Sequence, residues 1–157
     1  MTTTTHTPRM QLREVAPHQL GAMYRLERSI ELDKTVRELV KVRASQMNGC
    51  AYCIDMHWKD ARAARESEER LYMLGAWRES PLYDERERAA LALCEAMTAI
   101  ADRGVPDDVW SDARAAFGDD ELAQLVFAIA SINTWNRLMI TTRAEPGRYQ
   151  PTLRSAA

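Results

Sequence analysis

The sequence predicts an all-α protein with roughly six to eight helices. Apolar residues recur three and four positions apart in several segments, as they do along the buried face of a helix. Cap residues and glycines stand where these segments begin and end. No segment shows the alternation of a β-strand, the turn of a hairpin or a βαβ unit. The 157 residues, 46% of them hydrophobic, suffice to bury the core of a single domain.

The predicted domain occupies residues 9–145 and lies between two tails. Residues 1–8 are rich in threonine, show no periodicity and are predicted to be disordered. Residues 146–157 begin with Pro-Gly and are predicted to form a polar C-terminal tail. At the start of the domain, alternating apolar residues predict a short extended lead-in: Met10, Leu12 and Val15.

Helix boundaries in the first half of the domain follow from capping residues. Pro17 suits the first turn of a helix, and Asp33 is a good N-cap for the next one. Asn48-Gly49 is a helix-stop signal. A new helix is therefore predicted to begin at about Cys50 and to end at about Arg65.

The second half is predicted to contain longer helices. Asp84 caps a helix that runs to about Asp102, with acidic residues in its first turn. Pro106 starts a further helix, which Gly118 closes, and the last helix then runs to about Thr142. This last helix is apolar on most sides, which in a small chain predicts burial against another subunit. We therefore expect a homo-oligomer.

Charge and hydropathy exclude several classes of function. The net charge is −2, and arginines alternate with glutamates, so no basic face for nucleic acid is visible. The first dozen residues lack the apolar run of a signal peptide. The longest nearly apolar stretch, residues 122–132, is too short to span a bilayer. We expect a cytoplasmic protein without nucleic-acid or membrane partners.

The side chains best suited to carry out a reaction form the pattern Cys50-x2-Cys53-x3-His57. These spacings place both thiols and the imidazole along one stripe of a helix. A helix N-terminus and Cys-x-x-Cys geometry lower a thiol pKa, which favours redox chemistry. Zinc binding is an alternative but lacks a fourth ligand, and structural thiols are another. The third cysteine, Cys94, lies in an apolar segment and is predicted to pack in the core.

Two further groups could assist the thiols. Glu38 precedes Cys50 by twelve residues, so a tight Asn-Gly turn could bring its carboxylate back towards the site. Glu38 could equally pair with Lys41 at helical spacing, and His57 could lie on an exposed face. Tyr52 and Asp55 are expected to line the site or to face solvent.

A polar cluster interrupts the apolar final helix at residues 133–137. Buried amide and guanidinium groups must be hydrogen-bonded. We expect these residues to form bonds between helices or between subunits, in preference to contacts with a substrate.

The pattern Glu38-x11-Cys50-x2-Cys53-x3-His57 resembles the core of the alkylhydroperoxidase D-like proteins in the carboxymuconolactone decarboxylase family. The resemblance is densest over residues 38–65. It implies an all-helical fold, a trimer or hexamer, and thiol-dependent reduction of hydrogen peroxide or organic hydroperoxides. A lipoyl protein or a peroxiredoxin is implied as the reductant partner, and we expect neither a cofactor nor a metal.

The resemblance also implies roles for the matching residues. Cys53 would attack the peroxide, Cys50 would resolve the product as a disulfide, and Glu38 and His57 would relay protons. The helix N-terminus alone favours Cys50 as the more acidic thiol. The best-studied branch has histidine immediately before the second cysteine, where this chain has Tyr52. A non-redox decarboxylase and a redox-sensing oligomer with little turnover are the alternative functions.

Overall fold

The computed structural model describes residues 7–151, which form eight α-helices and no strand. The all-α prediction is therefore confirmed. A short 3-10 turn, Leu74–Ala76, follows the fifth helix. Most of the predicted N-terminal tail, and residues 152–157 of the C-terminal tail, lie outside the described residues. The helices are α1 Leu12–Val15, α2 Pro17–Ser29, α3 Lys34–Asn48, α4 Ala51–Ala63, α5 Glu68–Met73, α6 Glu85–Thr98, α7 Ile100–Arg103 and α8 Asp107–Thr142.

Helices α3, α6 and α8 pack together and form the centre of the molecule, and α4 packs on α3. Their apolar stripes interlock in one cluster whose side chains are almost wholly buried, among them Val40, Leu93, Leu125, Ile129 and Ile132. Full burial of such a side chain contributes about 1.5–3 kcal/mol. This cluster includes both cysteines of the motif, so the thiols are part of the core.

The turn between α3 and α4 follows the predicted signals closely. The carboxylate of Asp33 accepts a hydrogen bond from the backbone N–H of Val36 and caps α3. Gly49 ends α3 with φ of 70°, a left-handed conformation that favours glycine. Cys50 is then the N-cap of α4. The predicted break at Asn48-Gly49 is confirmed, and α4 ends at Ala63, close to the expected position.

Two local predictions were wrong. The expected extended lead-in is instead the single helical turn α1, in which the Ala16 N–H bonds the Leu12 carbonyl. Three alternating residues were too few to specify a strand, and no neighbouring strand pairs with them. The helix expected to run to Asp102 stops at Thr98, because Ala99 leaves the helical conformation before α7 begins.

The predicted break at Gly118 is present as an interruption within α8, where φ is 67° and ψ is 175°. Beyond it, most of the apolar stripe is buried within the chain, but Phe127 is 54% exposed. Cys94 is fully buried and donates a hydrogen bond to the Val40 carbonyl, which confirms its place in the core. Among residues 7–151, no helix is both long and apolar enough to cross a bilayer.

Candidate functional site

Cys50 and Cys53 occupy the first turn of α4. The Sγ atom of Cys50 accepts a hydrogen bond from the backbone N–H of Cys53 at 3.4 Å. Cys50 therefore replaces the Ser, Thr or Asp that usually caps a helix. Each cysteine is only 1% exposed. The thiols consequently sit beside unpaired N–H groups of the helix end, which stabilise a negative charge.

The two thiols differ in acidity. Hydrogen bonds from the Cys53 side chain and backbone lower the pKa of Cys50 to about 7, despite its burial. The hydrogen bond to Cys50 and burial raise the pKa of Cys53 well above its ordinary value. The pair thus loses one proton near neutral pH and holds the other. This agrees with the helix N-terminus argument that Cys50 is the more acidic thiol.

Glu38 and His57 meet beside these thiols. Glu38 comes from α3, His57 comes from α4, and Nδ1 of His57 lies 3.0 Å from Oε2 of Glu38. His57 is only 5% exposed and Glu38 6%, which excludes the exposed-face interpretation of His57. Lys41 does not form the alternative ion pair with Glu38, because its Nζ lies 2.5 Å from the carboxylate of Glu27.

The surroundings keep Glu38 ionised. Burial alone would raise its pKa, but the hydrogen bond and charge of His57 and the nearby charges of Lys41 and Arg37 lower it overall. The Nε atom of Arg37 lies 3.4 Å from the second carboxylate oxygen of Glu38. Glu38 therefore presents a negative charge to both His57 and Arg37.

A cavity of about 720 Å³ opens onto this cluster. Its walls include Glu38, His57 and Cys53, together with Tyr52 and Trp135, whereas Cys50 is not among its lining residues. A ligand in the cavity would therefore reach Cys53 more directly than Cys50. Cys53 is therefore the thiol that a ligand can reach, whereas Cys50 is the more acidic thiol. Tyr52, which was expected to line the site or to face solvent, lies on the wall of the cavity.

A network of amides supports the thiols from the side of α8. The Nδ2 group of Asn48 donates hydrogen bonds to the side-chain oxygens of Asn133 and Asn136, both at 2.9 Å. Asn136 is fully buried, donates to Ser45 Oγ at 3.0 Å, and hydrogen-bonds both thiols in a way that lowers their pKa. The prediction that the 133–137 cluster bonds between helices is confirmed for its two asparagines.

The ion pair of Glu27 and Lys41 was not predicted from the sequence. The Glu27 carboxylate also accepts a hydrogen bond from Ser131 at 2.5 Å, and the interactions with Lys41 and Ser131 lower its pKa although burial would raise it. A signal was present: Glu27 falls on the apolar stripe of α2, and a buried carboxylate requires a partner.

Another contact joins α4 to the segment that follows α8. Tyr149 donates a hydrogen bond to Asp60 at 2.6 Å, and the backbone N–H of Gly147 donates to Asp55 at 3.0 Å. Asp55 also pairs with Lys59 on the outer side of α4. The first residues of the predicted C-terminal tail therefore lie against α4.

Among residues 7–151, one group of side chains could hold a metal ion. Glu38, His57 and Asp60 each offer a ligand atom, and these atoms lie within 4.8 Å of one another. The cluster differs from the Cys50, Cys53 and His57 set that the sequence offered for zinc. The guanidinium of Arg37 beside Glu38 opposes a further positive charge there.

Comparisons with known proteins show the family to which this chain belongs. The model of the carboxymuconolactone decarboxylase family matches residues 18–96. The uncharacterized protein YdfG of Bacillus subtilis is 42% identical over 135 residues, which cover 84% of this chain and 92% of YdfG. A crystal structure from Agrobacterium tumefaciens superposes with a TM-score of 0.87 at 38% identity, covering 91% of this chain and 100% of the other. That protein is of unknown function and is named as a candidate antioxidant defence protein AhpD.

A more distant structure supports the fold alone. An uncharacterized peroxidase-related protein from Ralstonia eutropha, described as an alkylhydroperoxidase AhpD core, gives a TM-score of 0.74 at 20% identity. The alignment covers 87% of this chain and 74% of that protein. The chain belongs to the carboxymuconolactone decarboxylase family and is one of its alkylhydroperoxidase D-like members.

Proposed function

We propose that this protein is a thiol-dependent peroxidase that reduces hydrogen peroxide or organic hydroperoxides through a cycle of Cys50 and Cys53. The observation that supports it most is that three features occur together beside one cavity. These features are the dithiol at a helix N-terminus, the lowered pKa of Cys50, and the buried pair of Glu38 and His57. Kinship with a candidate antioxidant defence protein adds support.

In the first step, the thiolate sulfur attacks the terminal oxygen of the hydroperoxide. The O–O bond breaks, the sulfur becomes a sulfenic acid, and the departing alkoxide takes a proton to give an alcohol. The second thiol then attacks the sulfenic sulfur, forms a disulfide and releases water. A dithiol reductant returns two electrons and two protons and leaves as its own disulfide.

Cys53 is our candidate for the attacking thiol because it lines the cavity and His57 follows it by one helical turn. The thiolate of Cys50 hydrogen-bonds Cys53 and can accept its proton as the attack begins. Cys50 would then resolve the sulfenic acid. In this scheme the two cysteines share one negative charge near neutral pH. The charge is on Cys50 at rest and moves to Cys53 when Cys53 attacks the peroxide.

In this proposal His57 delivers the proton to the leaving oxygen. Its Nδ1 is engaged by Glu38, so Nε2 is the ring nitrogen left for the substrate. The Glu38 carboxylate stabilises the protonated imidazole and fixes its orientation. Tyr52 replaces the second histidine of the best-studied branch, so the relay proposed here runs through His57 alone.

The electron donor proposed here is a dithiol, carried by a lipoyl protein or by a peroxiredoxin partner. Both cysteines are almost wholly buried, so a donor must enter the cavity to reach the disulfide. A lipoyl group on a flexible arm can enter the cavity more easily than the surface of a folded protein can. We also propose a cytoplasmic homo-oligomer.

Peroxide consumption with dithiothreitol as the donor tests the function. We expect wild-type protein to consume cumene hydroperoxide catalytically, and the variants Cys53→Ser and Cys50→Ser to lose turnover. The matched control is Cys94→Ser, since Cys94 lies in the core outside the cavity and a serine can keep the bond to Val40. Turnover in both motif variants equal to that of wild type would refute the proposal.

A further inference from the structure

We propose that the cavity selects organic hydroperoxides that carry a carboxylate, and that Arg37 binds this carboxylate. The inference rests on the proposed peroxidase function and names the substrate class for the same site. Three features carry it: a partly exposed guanidinium beside the relay, two further arginines on the cavity walls that form no ion pair with a described residue, and apolar surface along the rest.

Arg37 is held next to the relay with hydrogen-bonding capacity to spare. Its Nε atom is buried and has no hydrogen-bond partner among the described residues, although it lies 3.4 Å from Glu38 Oε1. Because Nε is buried, a carboxylate in the cavity would bind the terminal Nη groups of this side chain. The Arg37 side chain is 28% exposed and lines the cavity. A guanidinium has five N–H donors in a planar fork, which matches a carboxylate.

The acidic side chains of the cavity are mostly engaged by protein partners. Glu27 is bound by Lys41 and Ser131, Glu38 by His57, and Asp60 by Tyr149.

Fewer of the cationic side chains on the cavity walls have a partner within the protein. Arg13 and Arg28 line the cavity and form no ion pair with a described residue, whereas Arg148 pairs with Glu145. The one unengaged acid on the walls, Glu14, is exposed. Five cationic and five acidic side chains line the cavity, so its walls carry no net charge, and the arginines without an ion pair are the groups that can bind an anion.

The remaining walls suit an apolar or aromatic body. They include Leu20, Tyr52 and Met139, and the rings of Tyr24 and Trp135, whose centroids lie 5.3 Å apart. The volume of about 720 Å³ falls in the range of small-molecule sites, roughly 300–1,000 Å³. Hydrogen peroxide would leave nearly all of this apolar surface in contact with water, whereas an amphipathic hydroperoxide would cover it.

A matched pair of substrates tests the inference: cumene hydroperoxide with a para-carboxylate, and the methyl ester of the same compound. We expect kcat/KM to favour the carboxylate roughly tenfold to a hundredfold, since hydrogen bonds to charged groups are worth this much. Arg37→Gln should abolish the preference, and Arg37→Lys should keep part of it. The control Arg25→Gln removes the same charge from an exposed position outside the cavity and should leave the ratio unchanged.

The ratio of kcat/KM for the acid to kcat/KM for the ester distinguishes loss of carboxylate binding from damage to the proton relay. If Arg37→Gln acted only by disturbing Glu38, both substrates would slow equally and the preference would survive, which would overturn the role of Arg37. Equal kcat/KM for the acid and the ester in wild type would overturn the substrate class.

Binding of the two corresponding alcohols, measured by calorimetry, gives a readout that needs no turnover. We expect the carboxylate alcohol to bind wild type at least roughly tenfold more tightly than its ester, and equally tightly in Arg37→Gln. If this holds while no hydroperoxide is consumed, the proposed function fails and the ligand class stands. If peroxide is consumed but the alcohols bind alike, the ligand class fails and the proposed function stands.

Discussion

The Nδ1 atom of His57 lies 3.0 Å from the carboxylate of Glu38, although nineteen residues separate them in the chain. The tight turn at Gly49 makes this possible, because it folds α4 back against α3. Both side chains are buried, so water competes little for their hydrogen bond. The pair therefore holds the imidazole in one orientation beside the thiols.

Replacing Glu38 by glutamine should slow peroxide reduction with little change in shape. The amide keeps a hydrogen-bond acceptor for His57 but cannot stabilise a protonated imidazole. We expect kcat/KM to fall by roughly a hundredfold, within the usual contribution of acid–base groups. Asp55→Asn is the control, because Asp55 pairs with Lys59 on the outer side of α4. If Glu38→Gln and Asp55→Asn retain the same activity as wild type, Glu38 has no part in the relay.

The reactivity of the thiols should depend on pH in a defined way. The pKa of Cys50 is lowered to about 7 from an ordinary value of 9.0. The thiolate fraction, and with it the rate of alkylation by iodoacetamide, should therefore rise through neutral pH. Because the Cys53 side chain is the main cause, Cys53→Ala should move this rise to higher pH. An alkylation profile centred near pH 9 in wild type would contradict the assignment.

Cys94 supplies an internal control for that experiment. Burial raises its pKa to about 12, and it is fully enclosed by the core. We expect Cys94 to remain unmodified in the folded protein while the motif cysteines react, as read by peptide mass spectrometry. Rapid labelling of Cys94 under native conditions would show that the core opens far more readily than its packing indicates.

The ion pair of Glu27 and Lys41 should matter for stability. Lys41→Met leaves the partly buried Glu27 carboxylate without its main partner, and removal of one member of a buried pair costs roughly 3 kcal/mol of unfolding free energy. The pKa of Glu27 is lowered in the fold, so its stabilising contribution is present above its ordinary value of 4.5. This contribution is lost as the pH falls through the lowered pKa.

Urea unfolding at two pH values measures this effect. The difference in unfolding free energy between wild type and Lys41→Met should be large at pH 7 and should shrink in acid. Lys59→Met is the comparison, because Lys59 pairs with Asp55 at a more exposed site. Exposed pairs are worth only about 0–1 kcal/mol. Equal losses in the two variants would contradict the assigned role of the buried pair.

Replacing Asn136 should change both the unfolding free energy and the acidity of the thiols. Asn136→Ala removes the hydrogen bonds that Asn136 makes with Asn48 and Ser45, and each such bond contributes about 0.5–1.5 kcal/mol to the unfolding free energy. The same change removes a hydrogen bond that lowers the pKa of Cys50, so the alkylation profile should shift to higher pH. Thr134→Ala, on the exposed side of α8, should change neither property. An unchanged alkylation profile in Asn136→Ala would remove Asn136 from the thiol environment.

Local signals explain why much of the fold could be predicted from the sequence. Asp33, Gly49 and Asp84 act on backbone groups within a few residues, so their effects do not depend on distant parts of the chain. The end of α6 at Thr98 carried no such signal, because the following Ala99 is itself a good helix former. The break there depends on tertiary packing, which no short pattern records.

The candidate site was predictable only in part, for the same reason. Cys50, Cys53 and His57 lie close in sequence, so helical spacing alone placed them together. Glu38 had two possible partners at the level of sequence, and the family resemblance rather than its spacing pointed to His57. The cavity could not be predicted, since its walls come from five helices, α1, α2, α3, α4 and α8, and from the segments before α1 and after α8.

The most direct test of the account is to add one equivalent of cumene hydroperoxide to the reduced protein and to map the cysteines by mass spectrometry. We predict a disulfide between Cys50 and Cys53, with the loss of two hydrogen atoms, that dithiothreitol reverses completely. In Cys50→Ser, dimedone should trap a sulfenic acid on Cys53. If both motif cysteines remain thiols while the hydroperoxide is untouched, the protein is not a thiol peroxidase.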